Sequence, residues 1–292
     1  NQSTVSSVAV RFVHFGHRRS TVSRVSGDGA EFSPHQRRGV ASASMATTTV
    51  ARGPAAAGAP RAKRKAPFPV EFYRSALGKK YVMALTGIML MGFVFAHMIG
   101  NLKMYLGAEE FNHYGEFLRE LLVPILPRTV TLWLMRLGLI GAFALHIHSA
   151  YSLTRMNRAA RSVAYQSPRD YVAANFASRT MRWTGIIVGL FLVWHLFDLT
   201  LTGTGYHYVR GMPYQNVDNS FSRIWVAAIY VVANIALGIH LFHGAWSLFQ
   251  SMGWNNPRFN AARRNFAAGF AALIVIGNVS FPIAVTLGIV GN

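Results

Sequence analysis

Five long apolar stretches constrain this chain of 292 residues more than any other feature of its sequence. Each stretch approaches the roughly 20 residues that an α-helix needs to cross a bilayer. Because lipid offers no hydrogen-bonding partner to the backbone, such segments must be helical. We therefore expect an all-α integral membrane protein with five transmembrane helices, at about residues 81–101, 130–153, 183–204, 224–249 and 267–290.

The composition supports a membrane protein over a nucleic-acid-binding one. The formal charge is +19 at pH 7, but only 13% of the residues are charged and 52% are hydrophobic. The basic residues crowd into particular loops and the N-terminal segment, as in polytopic membrane proteins. Nucleic-acid-binding domains carry such charge on a soluble basic fold, so we expect no nucleic-acid partner. The chain has no cysteine, which excludes disulfides and iron–sulfur clusters held by this chain alone.

Residues 1–69 are rich in small and basic residues and lack sustained periodicity. We expect a disordered basic N-terminal lead, with residues 1–44 upstream of a natural start at Met45. A transit peptide is the alternative interpretation of residues 1–44, because they are rich in Arg and Ser and poor in acids. The membrane domain would then cover residues 70–292.

The loop charges predict the orientation of the spans. Basic residues dominate the segments before the first span, after the second and after the fourth, whereas the other two loops carry mixed or few charges. The three basic segments should therefore be cytoplasmic. This orientation gives a cytoplasmic N-terminus and an outside C-terminus.

Four of the five spans contain an interior histidine: His97, His146, His195 and His240. Counted at about 1.5 Å per residue, His97 and His195 lie in the outer half of the membrane and His146 and His240 in the inner half. One such histidine could simply hydrogen-bond a neighbouring helix or relay protons. Two pairs at matching depths predict axial ligands for two haems in a four-helix bundle.

Two further histidines leave the ligands of the inner pair open. His148 lies about 200° around the helix from His146, so both cannot bind the same haem. His243 lies only about 60° from His240, and it could replace His240 or pack at the haem edge. We favour His146 and His240, with His148 and His243 as the alternative.

Acidic residues are the remaining candidates for function. Asp198 stands one turn after His195, and a charge there needs a partner, so we expect an arginine or a water network at a haem propionate. Glu116 and Glu120 fall in the predicted outer loop between the first two spans, where a solvated charge is the simpler interpretation. A transporter is a competing class, but the spans show no interior proline before Pro282 and no obvious repeat.

Several short motifs resemble those of a known family: GFVFAHMIGN, GAEEFNHYGEFL, LHIHSAY, VWHLFD and HLFHGAWS. From about Phe72 onward, their order and spacing resemble the b558-type cytochrome b membrane-anchor subunit of succinate dehydrogenases and fumarate reductases, of the five-helix, two-haem class. The resemblance implies that the first four helices form the haem-binding bundle. It also implies that His97 and His195 bind a distal b haem, and that His146 and His240 bind a proximal one. The family ligand stands four residues before the glycine of a G-x-W-S segment, which selects His240 over His243.

The same resemblance implies a function, partners and a location. The chain would carry electrons between an iron–sulfur subunit and a membrane quinone, menaquinone, in the bacterial cytoplasmic (inner) membrane. The dicarboxylate chemistry of succinate dehydrogenase would occur on a separate flavoprotein chain. A glutamate in the region of Glu116 and Glu120 serves a distal menaquinone site in some relatives, which makes these two residues candidates for a quinone site. The alternatives are a cytochrome b anchor of another membrane oxidoreductase and a haem-free quinone-binding anchor.

Overall fold

The computed structural model describes residues 67–160 and 172–291, and within them the chain is helical without β-strands. Most of the predicted N-terminal lead, residues 1–66, lies outside the described residues. The helices are α1 (Phe68–Arg74), α2 (Ala76–Asn101), α3 (Ala108–Glu120), α4 (Val130–Ala159), α5 (Val172–Leu196), α6 (Pro213–Phe221), α7 (Ile224–Ser251) and α8 (Asn260–Thr286).

Five helices, α2, α4, α5, α7 and α8, are long and apolar enough to cross a membrane, which confirms the predicted fold class. The helices do not begin and end at the bounds predicted for the spans. Helix α2 begins five residues early, α4 runs to Ala159, and α8 begins at Asn260 and ends at Thr286, before the predicted end at residue 290. Hydropathy reports the lipid-crossing part of a helix, whereas polar residues beyond it can continue the same hydrogen-bond ladder.

Shorter helices close the two ends of the bundle. At one end, α1 turns directly into α2 at Ser75, whose hydroxyl accepts a hydrogen bond from Gly78 N at 2.9 Å. A Cβ at Gly78 would lie 1.9 Å from Phe72 O, so this turn requires glycine. At the other end, α3 and α6 are joined by a hydrogen bond of 3.1 Å from Tyr214 N to Asn112 Oδ1. We call these the α1 end and the α6 end.

The spanning helices pack in a specific pattern. Extensive contacts join α2 to α4, α5 to α7 and α7 to α8, and a smaller contact joins α2 to α7. The approach of α8 to α7 depends on Gly238, where a Cβ would stand 2.2 Å from Val275 Cγ2. Large apolar side chains such as Ile140, Leu190 and Ile276 are exposed on the outer faces of the helices, as lipid contact requires.

Candidate functional site

The first histidine pair lies toward the α6 end and joins α2 to α5. The ring centroids of His97 and His195 are 6.0 Å apart, with ring planes at 84°. His97 also stacks on Phe93, at a centroid distance of 5.4 Å. We call His97 and His195 the α6-end pair.

The second pair lies toward the α1 end and joins α4 to α7. The ring centroids of His146 and His240 are 6.5 Å apart, with ring planes at 67°. We call these two residues the α1-end pair. The structure thus brings together the same two pairs of imidazoles that the depth argument selected from the sequence.

Both pairs join helices whose backbones stay apart. None of the extensive helix contacts of the described residues is between α2 and α5, or between α4 and α7. Although His97 sits within a membrane span, its side chain is exposed, so it borders open space rather than close packing. The two histidines of each pair therefore approach each other from helices that do not pack closely together.

The spacing within each pair fits two ligands on opposite sides of one metal ion. Metal–imidazole bonds are about 2 Å long, so two axial imidazoles hold their ring centroids roughly 6 Å apart. The observed separations are 6.0 and 6.5 Å. A non-haem metal site is less well supported, because the described residues contain no group of three or more His, Cys, Asp or Glu side chains suited to a metal ion.

Threonine hydroxyls orient the rings of the α1-end pair. Thr86 Oγ1 donates to Val82 O at 2.7 Å and lies 3.2 Å from His146 Nδ1. Thr184 Oγ1 donates to Thr180 O at 2.7 Å and lies 3.4 Å from His240 Nδ1. Because each hydroxyl proton is used within its own helix, the oxygen accepts from the ring Nδ1–H. This tautomer leaves Nε2 of both histidines free to bind a metal.

A glycine follows each of these threonines where a histidine ring contacts the helix, and the approach is tight at Gly185. A Cβ at Gly87 would lie 3.5 Å from His146 Cε1, and one at Gly185 would lie 3.3 Å from His240 Cε1. In both helices the Thr-Gly dipeptide begins eleven residues before a histidine of the α6-end pair. This repeated Thr-Gly…His spacing is the signal in the sequence that could have revealed the orienting threonines.

The alternative histidines point to other partners. His148 Nδ1 lies 2.5 Å from Tyr73 OH, and its ring stacks on Tyr73. His243 Nε2 lies 3.2 Å from Thr180 Oγ1. In the described part of the chain, His148 and His243 therefore contact side chains of α1 and α5 rather than each other.

Asp198 is fully buried at the α6 end and collects four hydrogen-bond donors. Its Oδ1 accepts from Thr204 Oγ1 and from Arg223 Nη2, the latter at 3.3 Å. Its Oδ2 accepts from Ser220 Oγ at 2.6 Å and from Tyr230 OH at 2.9 Å. The arginine partner expected from the sequence is thus confirmed. Because the partners come from α6, α7 and the loop after α5, Asp198 ties these elements together.

Tyrosines extend this polar cluster in two directions. Tyr206 OH donates to Asp198 O at 2.6 Å, and burial together with the nearby Asp198 carboxylate raises the pKa of Tyr206. It therefore remains a donor over the physiological pH range. Tyr230 OH lies 3.4 Å from His195 Nδ1 and connects the cluster to the α6-end pair. Sequence reasoning missed Tyr230, because it lies 35 residues after His195 on another helix.

Glu116 and Glu120 lie on helix α3, which corrects the loop predicted for them. Glu116 forms ion pairs with Arg119, at 2.9 Å, and with Arg128. Glu120 Oε1 is 3.7 Å from Arg128 Nε. The loop was predicted because α3 is too polar to resemble a span. Glu116 and Arg119 are three residues apart, and an ion pair at this spacing stabilises a surface helix.

Part of this chain resembles a known family. Residues 154–279 match the sequence model of a family described as succinate dehydrogenase/fumarate reductase transmembrane subunit. The matched region runs from the end of α4 into α8, and it contains His195 and His240. No curated protein and no solved structure matches the chain.

Proposed function

We propose that this chain, whose residues 154–279 match the succinate dehydrogenase/fumarate reductase transmembrane subunit family, belongs to that family and carries electrons between an iron–sulfur subunit and a membrane quinone through two b haems. It would also anchor that subunit and a flavoprotein subunit to the membrane. The dicarboxylate reaction would belong to the flavoprotein.

The observation that carries this proposal is the spacing of the two imidazole pairs. His97 and His195 are suited to hold one haem, and His146 and His240 the other, because each pair spans roughly the distance that two ligands of one iron require. A haem held by two histidines accepts and releases one electron at its iron. The protein contributes the positions of the imidazoles and the electrostatic surroundings that tune them.

The side chains around the α1-end pair fix the ligand geometry. Thr86 and Thr184 hold Nδ1 of their histidines, so Nε2 keeps its lone pair for a metal. Gly185 lets the His240 ring approach α5 closely, because a Cβ there would lie 3.3 Å from His240 Cε1. A ligand ring that is held in one orientation loses less entropy when it binds the metal.

Charge supports an orientation with the α1 end in the cytoplasm. Basic residues gather there, whereas α3 at the other end carries four acidic residues among its thirteen. In this orientation the iron–sulfur subunit would dock at the α1 end, nearest to His146 and His240. The bacterial cytoplasmic membrane is the location that fits such a complex.

The first test is the difference spectrum between dithionite-reduced and oxidised protein, with haem quantitation. We expect two b haems per chain. Substitution His97→Ala should remove one, and His240→Ala should remove the other. His148→Ala and His243→Ala are the matched controls, because they delete the other histidines of α4 and α7, the two helices of the α1-end pair, and should leave both haems bound.

The outcomes separate the alternatives. Protein without haem would overturn the electron-transfer proposal and favour a haem-free quinone-binding anchor. Loss of a haem in His148→Ala or His243→Ala, with retention in His240→Ala, would transfer the ligand role to the alternative histidines. Co-purification of a flavoprotein and an iron–sulfur protein identifies the complex, whereas other redox partners would favour a different membrane oxidoreductase.

The quinone role of Glu116 and Glu120 is a separate part of the proposal, with menaquinone as the expected quinone. Both glutamates lie at the α6 end, on the same side of the bundle as His97 and His195. Carboxylates there could supply protons to a reduced quinone. Glu116→Gln and Glu120→Gln should then slow turnover with a menaquinone analogue while both haems remain bound and reducible.

A further inference from the structure

We infer that Tyr230 and Asp198 form a hydrogen-bonded chain that positions His195 and lowers the reduction potential of the haem at the α6-end pair. This inference rests on the proposed function, since it assumes that His195 binds a haem. Tyr230 and Asp198 are positioning residues, because they act on the haem through His195.

The direction of each hydrogen bond follows from the donors available. Tyr230 OH has a single proton, and the carboxylate oxygen Oδ2 of Asp198, at 2.9 Å, can only accept it. The phenolic oxygen is therefore free to accept from His195 Nδ1–H at 3.4 Å. With its proton on Nδ1, His195 keeps Nε2 unprotonated and able to bind a metal.

The charge at the end of the chain gives the direction of the effect. A ring N–H that donates toward an anion makes the imidazole a more basic ligand. A more basic ligand stabilises the oxidised iron, which carries the higher positive charge. Arg223 reduces the influence of the carboxylate, but it contacts Oδ1, whereas Tyr230 contacts Oδ2.

The burial of these groups makes the effect strong. Asp198 is 0% exposed and Tyr230 is 4% exposed, so little water screens the carboxylate from the ring. The tyrosine ring is held between Phe191 and Phe221, at centroid distances of 5.0 and 4.7 Å. Phenylalanine could therefore occupy the same place and remove only the hydroxyl group.

The test is a potentiometric titration of both haems in Tyr230→Phe and Asp198→Asn, in the intact complex. We expect Tyr230→Phe to raise the ratio of reduced to oxidised α6-end haem about threefold at a fixed solution potential. Asp198→Asn should raise it about tenfold, which corresponds to about 59 mV for a one-electron couple. The haem at His146 and His240 should keep its potential in both variants.

Tyr206→Phe is the matched control. Its hydroxyl belongs to the same cluster but donates to the backbone oxygen of Asp198 and not to the side chain. We expect this variant to leave both potentials unchanged. The variants His97→Ala and His240→Ala identify which haem gives each titration step.

The failure of this inference is distinct from failure of the proposed function. Wild-type protein without haem would overturn the proposed function. The inference alone would be overturned if the wild type binds two haems and Tyr230→Phe leaves both reduction potentials unchanged or shifts both equally. If Asp198→Asn does not assemble, Tyr230→Phe still decides the question, because it keeps the aromatic packing.

Discussion

The two histidine pairs use the same side chains but differ in what supports them. At the α1-end pair, Thr86 and Thr184 hold the rings, and each hydroxyl is already bonded within its own helix. At the α6-end pair, Tyr230 connects His195 to a buried ion pair. The first support is neutral and local, whereas the second carries charge and links several elements.

This difference separates the role of the imidazole ligands, which bind the metal, from the role of the surrounding groups, which tune the reduction potential. Imidazole supplies the metal bond in both places, so the identity of the ligands cannot make two haems differ. Neighbouring hydrogen bonds and charges can make the two haems differ, because they alter the basicity of the ligands and the local electric field. We therefore expect the two haems to differ in potential and the two ends to differ in their sensitivity to mutation.

The largest effect should follow removal of the buried carboxylate. Asp198→Ala leaves Arg223, which is 19% exposed, without its partner, together with the donors of Ser220 and Tyr230. Breaking a buried ion pair in this way costs about 3–5 kcal/mol. The thermal unfolding temperature in detergent should fall by a large amount. The haem at the α6-end pair should be lost before the haem at the α1-end pair. An unchanged unfolding temperature would show that the cluster is not essential to this end of the bundle.

A steric change should test the α1-end pair next. Gly185→Val adds a branched side chain where even a Cβ would stand 3.3 Å from His240 Cε1. Overpacking of this kind costs about 1–3 kcal/mol. Haem should be lost from the α1-end pair and retained at the α6-end pair, as measured by haem quantitation. Gly189→Val is the control, because a Cβ at Gly189 meets no atom within 4 Å.

The groups that hold the two histidine pairs also explain which parts of the fold and of the site could be predicted from the sequence. The spans and the histidine pairs follow from hydropathy and helical rise, which depend only on positions along the chain. The arginine partner of Asp198 was expected because a buried charge needs one. Tyr230 could not be found this way, because its contact with His195 depends on how α7 is rotated against α5. Helix α3 was missed because hydropathy detects lipid-facing helices and not polar ones.

A smaller effect should follow deletion of the orienting hydroxyls. Thr86→Val and Thr184→Val keep the side-chain shape but remove the acceptor for Nδ1 of His146 and His240, respectively. Each lost hydrogen bond should cost about 1 kcal/mol. The potential of the α1-end haem should change while that of the α6-end haem remains constant. A shift in the α6-end haem would instead indicate a general loosening of the bundle.

The smallest effect should follow loss of an exposed ion pair. It tests whether such a pair contributes as much to stability as the buried pair does. Glu120→Gln makes the same chemical change as Asp198→Asn, but Glu120 and its partner Arg128 are 56% and 54% exposed. Water screens such a pair, so its loss should cost less than about 0.5 kcal/mol. Thermal unfolding should barely change, and both haem potentials should stay constant. If quinone turnover nevertheless falls, Glu120 acts on the quinone, because neither stability nor the haems would account for that loss. If turnover is also unchanged, its role is limited to the surface of α3.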